Sequence, residues 1–182
     1  RNIKMEQEKT ADHQHDFICS VFLSNAQAAA FQRGNVYSLD SATRVFKALA
    51  PLFVKDLHAK LWALETTYKN PVTEEKHIEN LQRFADDLSA AHAPVLHEGR
   101  FRIGTAQKAM NLYLKYLWCA GWIPEPPHCP IDRIILTHLG IENVNWTSLD
   151  DIGKYRKIME KVRERAGGSG SSIAVWELEL WK

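Results

Sequence analysis

The chain has 182 residues, 45% of them hydrophobic and 25% charged, which are proportions typical of a globular domain. Its 23 Lys and Arg against 22 Asp and Glu give a net charge of +1, which excludes a uniformly basic nucleic-acid coat but not a local basic patch. Three scattered cysteines are too few for a disulfide framework, and no apolar run approaches the roughly 20 residues of a membrane span. We therefore expect one cytoplasmic domain, residues 1–182, without a membrane anchor.

Helical periodicity runs through the first part of the chain. Residues 3–32 carry a long helical pattern, polar at first and apolar in its second half. A second helix is predicted after Asp40 or Ser41, because either residue is a good N-cap. We expect Pro51 to break or kink it, so that residues 52–68 form a third helix.

The helical pattern continues through the second part. Thr73, followed by two acidic residues, predicts the start of a fourth helix that ends before Pro94, and residues 105–120 predict a fifth. The proline-rich residues 124–130 predict a stiff extended connector. Three more helices are expected: residues 131–139, residues 149–165 with Thr147 or Ser148 as cap and Gly167-Gly168 as stop, and a Trp-rich C-terminal helix capped by Ser171 or Ser172. No convincing strand pattern is present, so the predicted fold is all-α with about eight helices.

The basic residues are unevenly distributed. Residues 99–124 contain Arg100, Arg102, Lys108 and Lys115 and no acidic residue. This stretch is a glycine-framed loop that leads into a helix, and backbone N–H groups at a helix N-terminus favour anions such as phosphate. The alternative interpretation is a solvated basic surface without a ligand.

The fifth predicted helix carries one polar stripe. Lys108, Asn111 and Lys115 recur at spacings of three and four on an otherwise apolar helix. A lysine that is partly desolvated in a cleft is a useful amine nucleophile. The alternative is a surface stripe that keeps the helix soluble.

Asp132 follows the proline-rich connector and begins an apolar helix. Its simplest role is an N-cap, worth about 1 kcal/mol. The stiff segment before it would also hold this carboxylate in a fixed position, where it could activate water or stabilise a developing cation.

The residues Gly104-Thr105-Ala106-Gln107-Lys108-Ala109-Met110-Asn111-Leu112, followed by Pro130-Ile131-Asp132, resemble the catalytic signature of the helix–hairpin–helix DNA glycosylases, the HhH-GPD superfamily. The similarity covers residues 99–140 and is closest to the archaeal 8-oxoguanine glycosylase type. The usual Leu-Pro-Gly-x-Gly hairpin is replaced here by residues 99–104. The resemblance implies two packed helical subdomains with a divergent helix–hairpin–helix and a central cleft.

The resemblance also implies roles for individual residues. Lys108 matches the catalytic lysine and Asp132 the essential aspartate, with Lys115 as a rival to Lys108. DNA contacts are expected from the loop, the helix it leads into and the start of the next helix: Arg100, Arg102, Gly104, Thr105, Gln107, Lys115 and Arg133. Aromatic residues that could stack on an extruded base are Trp118, Trp122, Trp176 and Trp181.

The predicted function is therefore excision of a damaged or modified base from DNA, in DNA repair or in antiviral defence against modified phage bases. A β-lyase step through a lysine Schiff base is possible chemistry for such a site. We predict no metal and no cofactor, because the histidines and cysteines do not complete a ligand set in sequence, and we expect DNA as partner and a monomer. The alternatives are a non-catalytic helical DNA-binding or interaction module, and a helical protein without nucleic-acid contacts.

Overall fold

The computed structural model describes residues 2–38 and 40–181, with side chains from residue 8 onward. Within these residues the only β-type pairing is an isolated antiparallel bridge between Tyr37 and Leu96, so the predicted all-α fold is confirmed. The eight described α-helices are α1 Asn2–Phe31, α2 Arg44–Trp62, α3 Leu64–Thr67, α4 Glu74–His92, α5 Ile103–Cys119, α6 Arg133–His138, α7 Ile152–Gly168 and α8 Ile173–Glu179.

The predicted break at Pro51 is wrong, because α2 continues through it. Residues on both sides of the proline, Ala50 and Phe53, are buried in the same core. This shared packing offsets the roughly 3 kcal/mol that an interior proline costs a helix. The helix begins after Thr43, whose side chain accepts a hydrogen bond from Phe46 N, and not after Asp40 or Ser41.

Helix α5 is the central element of the fold. Every residue from Ile103 to Lys115 is buried, and α1, α4 and α7 pack around it. One continuous hydrophobic core joins residues from α1 to α8. A polar side chain on α5 therefore meets another protein group or a cleft, and only the end of the helix reaches open solvent.

Side-chain N-caps mark the starts of several helices. Thr73, Asp132 and Ser172 cap α4, α6 and α8, as the sequence predicts. Helix α7 differs, because its cap is Asp151 and residues Trp146–Ser148 form a separate 3₁₀ turn. No helix in the described part of the chain combines the length and apolar character needed to cross a bilayer.

Candidate functional site

Lys108 and Asp132 meet in a cleft. Lys108 Nζ lies 2.7 Å from Asp132 Oδ2, although the two residues are 24 positions apart in the chain. Their side chains are 8% and 20% exposed, so the pair lies at the boundary between the core and an open cavity. The structure thus brings together the two residues that the sequence predicts to be catalytic.

The carboxylate of Asp132 is held at both oxygens. Oδ1 accepts a hydrogen bond of 3.1 Å from Ile135 N as the N-cap of α6, and Oδ2 accepts the Lys108 ammonium. The residue before it is clamped to α5, since Gln107 Nε2 donates to Ile131 O at 2.7 Å and Ile131 N donates to Gln107 Oε1 at 2.9 Å. This two-bond clamp fixes the backbone that carries Asp132, which is the form of support that a catalytic group requires.

The cleft has a volume of about 320 Å³, at the small end of the range for small-molecule sites. Two arginines, Arg33 and Arg133, and three aromatic residues line it together with the Lys108–Asp132 pair. The aromatic residues are Tyr116, Trp146 and Trp181. A flat, uncharged ring fits this combination, because it would stack on the aromatics while the arginines face an attached anion.

Lys115 has a different environment. Its Nζ lies 2.7 Å from Glu177 Oε2 and 4.7 Å from the centre of the Trp181 ring. The Lys115 and Glu177 side chains are 10% and 4% exposed, and Lys115 is absent from the lining of the cleft. The ammonium of Lys115 therefore joins α5 to α8, and Lys108 is the lysine that faces the cavity.

The predicted phosphate-binding loop is occupied by the protein itself. Asp150 accepts hydrogen bonds from Ile103 N at the first turn of α5 and from Arg100 Nε, at 3.1 and 3.0 Å. Arg100 also pairs with Asp86, and Arg102 pairs with Glu98 at 3.2 Å. The charge that the sequence shows in this stretch is thus balanced by acidic residues outside it.

Three further residues expected at the DNA surface lie inside the protein. Gly104 donates its N–H to Leu149 O at 2.7 Å, and a Cβ on it would stand 1.6 Å from Trp146 O. Thr105 is 4% exposed and Gln107 is fully buried. The close approach that requires a glycine here is that of the 3₁₀ turn at Trp146–Ser148, not that of a phosphate.

An exposed basic face that the sequence analysis missed lies on α7. Lys154, Lys157, Lys161 and Arg165 follow one another at spacings of three and four, so they share one side of the helix. All four are exposed, and none has an ion-pair partner among the described side chains. The three-and-four spacing of these basic residues could have predicted the face from sequence. The net charge of this part of the chain did not show it, because the numbers of acidic and basic residues there are similar.

A buried chain of polar side chains lies behind the cleft. Asn111 donates to the Tyr155 hydroxyl at 3.0 Å, Tyr155 contacts His128 Nδ1 at 2.8 Å, and His128 Nε2 lies 3.1 Å from Glu74. Burial, followed by the positive charges of Arg163 and Arg156, lowers the pKa of His128 to about 3. The pKa of the neighbouring His77 is also well below its usual value, mainly through burial and then because protonation of both adjacent imidazoles would bring two positive charges together.

The tryptophans divide between the core and the cleft. Trp176 is buried, while Trp122 lies against His15 and Phe22, and neither reaches the Lys108–Asp132 pair. Trp181 does line the cleft, and so does Trp146, which was not among the sequence candidates. Comparison of the chain with models of known families, with curated proteins and with solved structures finds no match.

Proposed function

We propose that this protein is a DNA glycosylase that extrudes a damaged or modified base into the cleft and excises it with Lys108 and Asp132. The observation that carries the proposal is the 2.7 Å contact between the Lys108 amine and the Asp132 carboxylate at a cavity of about 320 Å³. The aromatic and arginine lining supports it, because an extruded nucleotide presents a flat base and a phosphate. The resemblance of residues 99–140 to helix–hairpin–helix glycosylases gives the same two residues the same roles.

The chemistry follows from the pairing. An ammonium is not a nucleophile, so Lys108 must first pass a proton to Asp132, whose Oδ2 is within hydrogen-bonding distance. The neutral amine attacks C1′ of the deoxyribose, a C–N bond forms, and the N-glycosidic electron pair leaves with the base, which takes a proton from solvent. Loss of one of the two amine protons to solvent gives a neutral C1′ adduct, and opening of the C1′–O4′ bond, with O4′ taking a proton from solvent, then gives the protonated Schiff base.

Strand cleavage is the second step of the same mechanism. Removal of a proton from C2′ of the Schiff base expels the 3′ phosphate by β-elimination, and hydrolysis releases Lys108. If water activated by Asp132 attacks C1′ instead, the product is an intact strand with an abasic site. The two routes differ in whether a covalent enzyme–DNA intermediate exists.

The DNA backbone has a surface available on α7. The basic face formed by Lys154, Lys157, Lys161 and Arg165 has no acidic partner among the described side chains, whereas Arg100 is bound to Asp86 and Asp150. The segment 141–149 borders both this face and the cleft, because Ile141, Val144 and Leu149 line a pocket together with the lysines and Trp146 lines the cleft. In this proposal the enzyme acts as a cytoplasmic monomer on duplex DNA.

Borohydride trapping on duplexes with abasic, oxidised, alkylated or enzymatically modified bases tests the proposal. We expect a covalent adduct with the native protein and its loss in Lys108→Gln. Asp132→Asn should reduce excision by at least about 100-fold while folding is kept, because asparagine is also a good N-cap. Lys76→Gln is the matched control, because Lys76 forms an exposed surface pair with Glu79.

The other outcomes separate the remaining possibilities. Abasic-site formation without trapping, lost in Asp132→Asn, would identify a monofunctional enzyme. DNA binding without excision of any base in the panel would refute the catalytic proposal and favour a binding module. For the surface, combined replacement of Lys154, Lys157 and Lys161 by Ala should reduce the slope of log affinity against log salt by about one for each phosphate that is no longer neutralised. An unchanged slope would exclude α7 as the DNA surface.

A further inference from the structure

The fold brings together three potential metal ligands away from the cleft. His15 and Cys19 lie one turn apart on α1, and Glu65 reaches them from α3. His15 Nε2 lies 2.9 Å from Glu65 Oε2, and Cys19 Sγ lies 3.7 Å from His15 Nε2 and 3.9 Å from Glu65 Oε2. One ligand atom from each residue thus stands within 4.8 Å of the other two.

Although the sequence alone predicts no metal, we propose that His15, Cys19 and Glu65 bind a zinc ion, with a fourth coordination position open to water at the surface. Tetrahedral zinc with ordinary bond lengths separates sulfur from nitrogen or oxygen by about 3.6 Å, and nitrogen from oxygen by about 3.3 Å. The separations among Nε2, Sγ and Oε2 differ from these values by a few tenths of an ångström. Cys19 Sγ also lies 4.0 Å from His15 Nδ1, so it stands beside the ring, and metal binding requires a side-chain rotation that brings the sulfur in front of Nε2. Thiolate and imidazole ligands favour zinc over magnesium, calcium and manganese.

The charges of the site also suit a divalent cation. A thiolate and a carboxylate together carry two negative charges, which Zn²⁺ neutralises, while a neutral imidazole adds none. Without a metal, burial raises the pKa of the Cys19 thiol, so the sulfur is held as an inert buried thiol. Coordination by zinc would deprotonate it.

The surroundings supply the groups that usually support metal ligands. Asp16 Oδ1 lies 3.4 Å from His15 Nδ1, the side of the ring opposite to the proposed metal, and it can accept the Nδ1 proton when zinc replaces the proton that Nε2 directs at Glu65. Trp122 packs on the His15 ring with centroids 4.4 Å apart. The Tyr113 hydroxyl is fully buried near Cys19 and has no hydrogen-bond partner of ordinary geometry among the described residues. It is placed to donate a hydrogen bond to a Cys19 thiolate.

Solvent reaches the cluster at His15 and Glu65. The His15 and Glu65 side chains are 31% and 29% exposed, whereas Cys19 is fully buried. Three protein ligands with one solvent-facing position is the coordination that zinc adopts where it binds water. The site joins α1 to α3, so bound metal should also stabilise the fold.

Cobalt(II) substitution in the full-length, chelator-treated protein tests the site. We expect one equivalent of Co²⁺ to produce a thiolate-to-cobalt charge-transfer band and intense tetrahedral d–d bands, and Zn²⁺ to displace it. Cys19→Ser should abolish the charge-transfer band. Glu65→Gln should weaken binding by more than the roughly 10- to 100-fold that loss of an outer-shell partner costs.

Two exposed residues of the same types provide matched controls. Cys119 is an exposed free thiol and His13 is an exposed histidine on the same helix as His15, so Cys119→Ser and His13→Ala should bind cobalt like the native protein. Zinc should raise the melting temperature of the native protein and of both controls but not that of Cys19→Ser. Absence of a cobalt spectrum in the native protein, or a spectrum that survives both Cys19→Ser and Glu65→Gln, would overturn the proposal.

Discussion

Acidification should destabilise this protein through two buried histidines, His77 and His128. The hydrogen bonds around His128 suit its neutral form, because the Tyr155 hydroxyl already accepts from Asn111 and can donate to Nδ1, while Nε2–H faces the Glu74 carboxylate. A proton on Nδ1 would remove that acceptor and place a second charge beside Arg163, whose guanidinium pairs with the same carboxylate.

The sign follows from linkage. In the folded protein the pKa of His128 is lowered to about 3, whereas in the unfolded chain it returns to about 6.5. Between these values the unfolded state binds a proton that the folded state does not, so stability is retained above about pH 6.5 and lost as the pH falls. Each pH unit in this window costs about 1.4 kcal/mol per histidine. Over two units His128 alone removes about 3 kcal/mol, a large part of a typical stability of about 5–15 kcal/mol.

Urea unfolding at a series of pH values between about 7.5 and 4.5 measures this effect. For the native protein, the slope of the free energy of unfolding against pH should correspond to the uptake of about two protons on unfolding. For His128→Gln the same slope should correspond to about one proton fewer. His138→Gln is the matched control, because His138 is exposed. If His128→Gln shows the same pH slope as the native protein, then His128 is charged in the folded state and the assignment of a neutral buried imidazole is refuted.

Two further predictions concern residues on α5. Lys115→Met should lower the free energy of unfolding by about 3–5 kcal/mol, because it leaves the buried Glu177 carboxylate without its charge partner. In urea unfolding, the double variant Lys115→Met with Glu177→Leu should recover most of that loss. Equal stability of the single and double variants would contradict a buried pair. Gly104→Ala should lower the free energy of unfolding by at least about 1–3 kcal/mol, because its Cβ would overlap Trp146 O. Gly167→Ala lies inside α7 and its Cβ meets no neighbouring atom, so it should be neutral or stabilise the protein by up to about 1 kcal/mol. A thermal melt in which both alanine variants behave alike would contradict the close approach of the 3₁₀ turn to α5.

The Lys108–Asp132 pair shows which features of the site can be predicted from the sequence. A proline-rich segment that ends in an aspartate before an apolar helix predicts a fixed N-cap, and the structure confirms that cap. The three-and-four spacing of Lys108, Asn111 and Lys115 predicts their shared side of α5. The resemblance to the glycosylases predicts that Lys108 and Asp132 share one cleft, and the structure places the two in contact.

The partners of a charged or polar side chain, in contrast, are not determined by the neighbouring sequence. Arg100 lies in a stretch of sequence without acidic residues, yet Asp150, 50 positions away, binds it and occupies the start of α5. The sequence predicts Gln107 as a DNA contact, yet this side chain is enclosed and clamps Ile131. The net charge of a sequence segment therefore does not predict which distant residues pair with it after folding.

The sequence by itself determined the helices and most of their caps, because helical periodicity and capping depend on neighbours within a few positions. The shared cleft of Lys108 and Asp132 was implied by the resemblance to the glycosylases and not by either local pattern. Only the tertiary structure decided that Pro51 lies inside a helix and that Lys115 forms an ion pair with Glu177. It also decided that Glu65 contacts His15 and Cys19, which are 46 or more positions away in the chain. Those outcomes depend on long-range packing, which is strong enough to override local preference and to balance charges between distant segments.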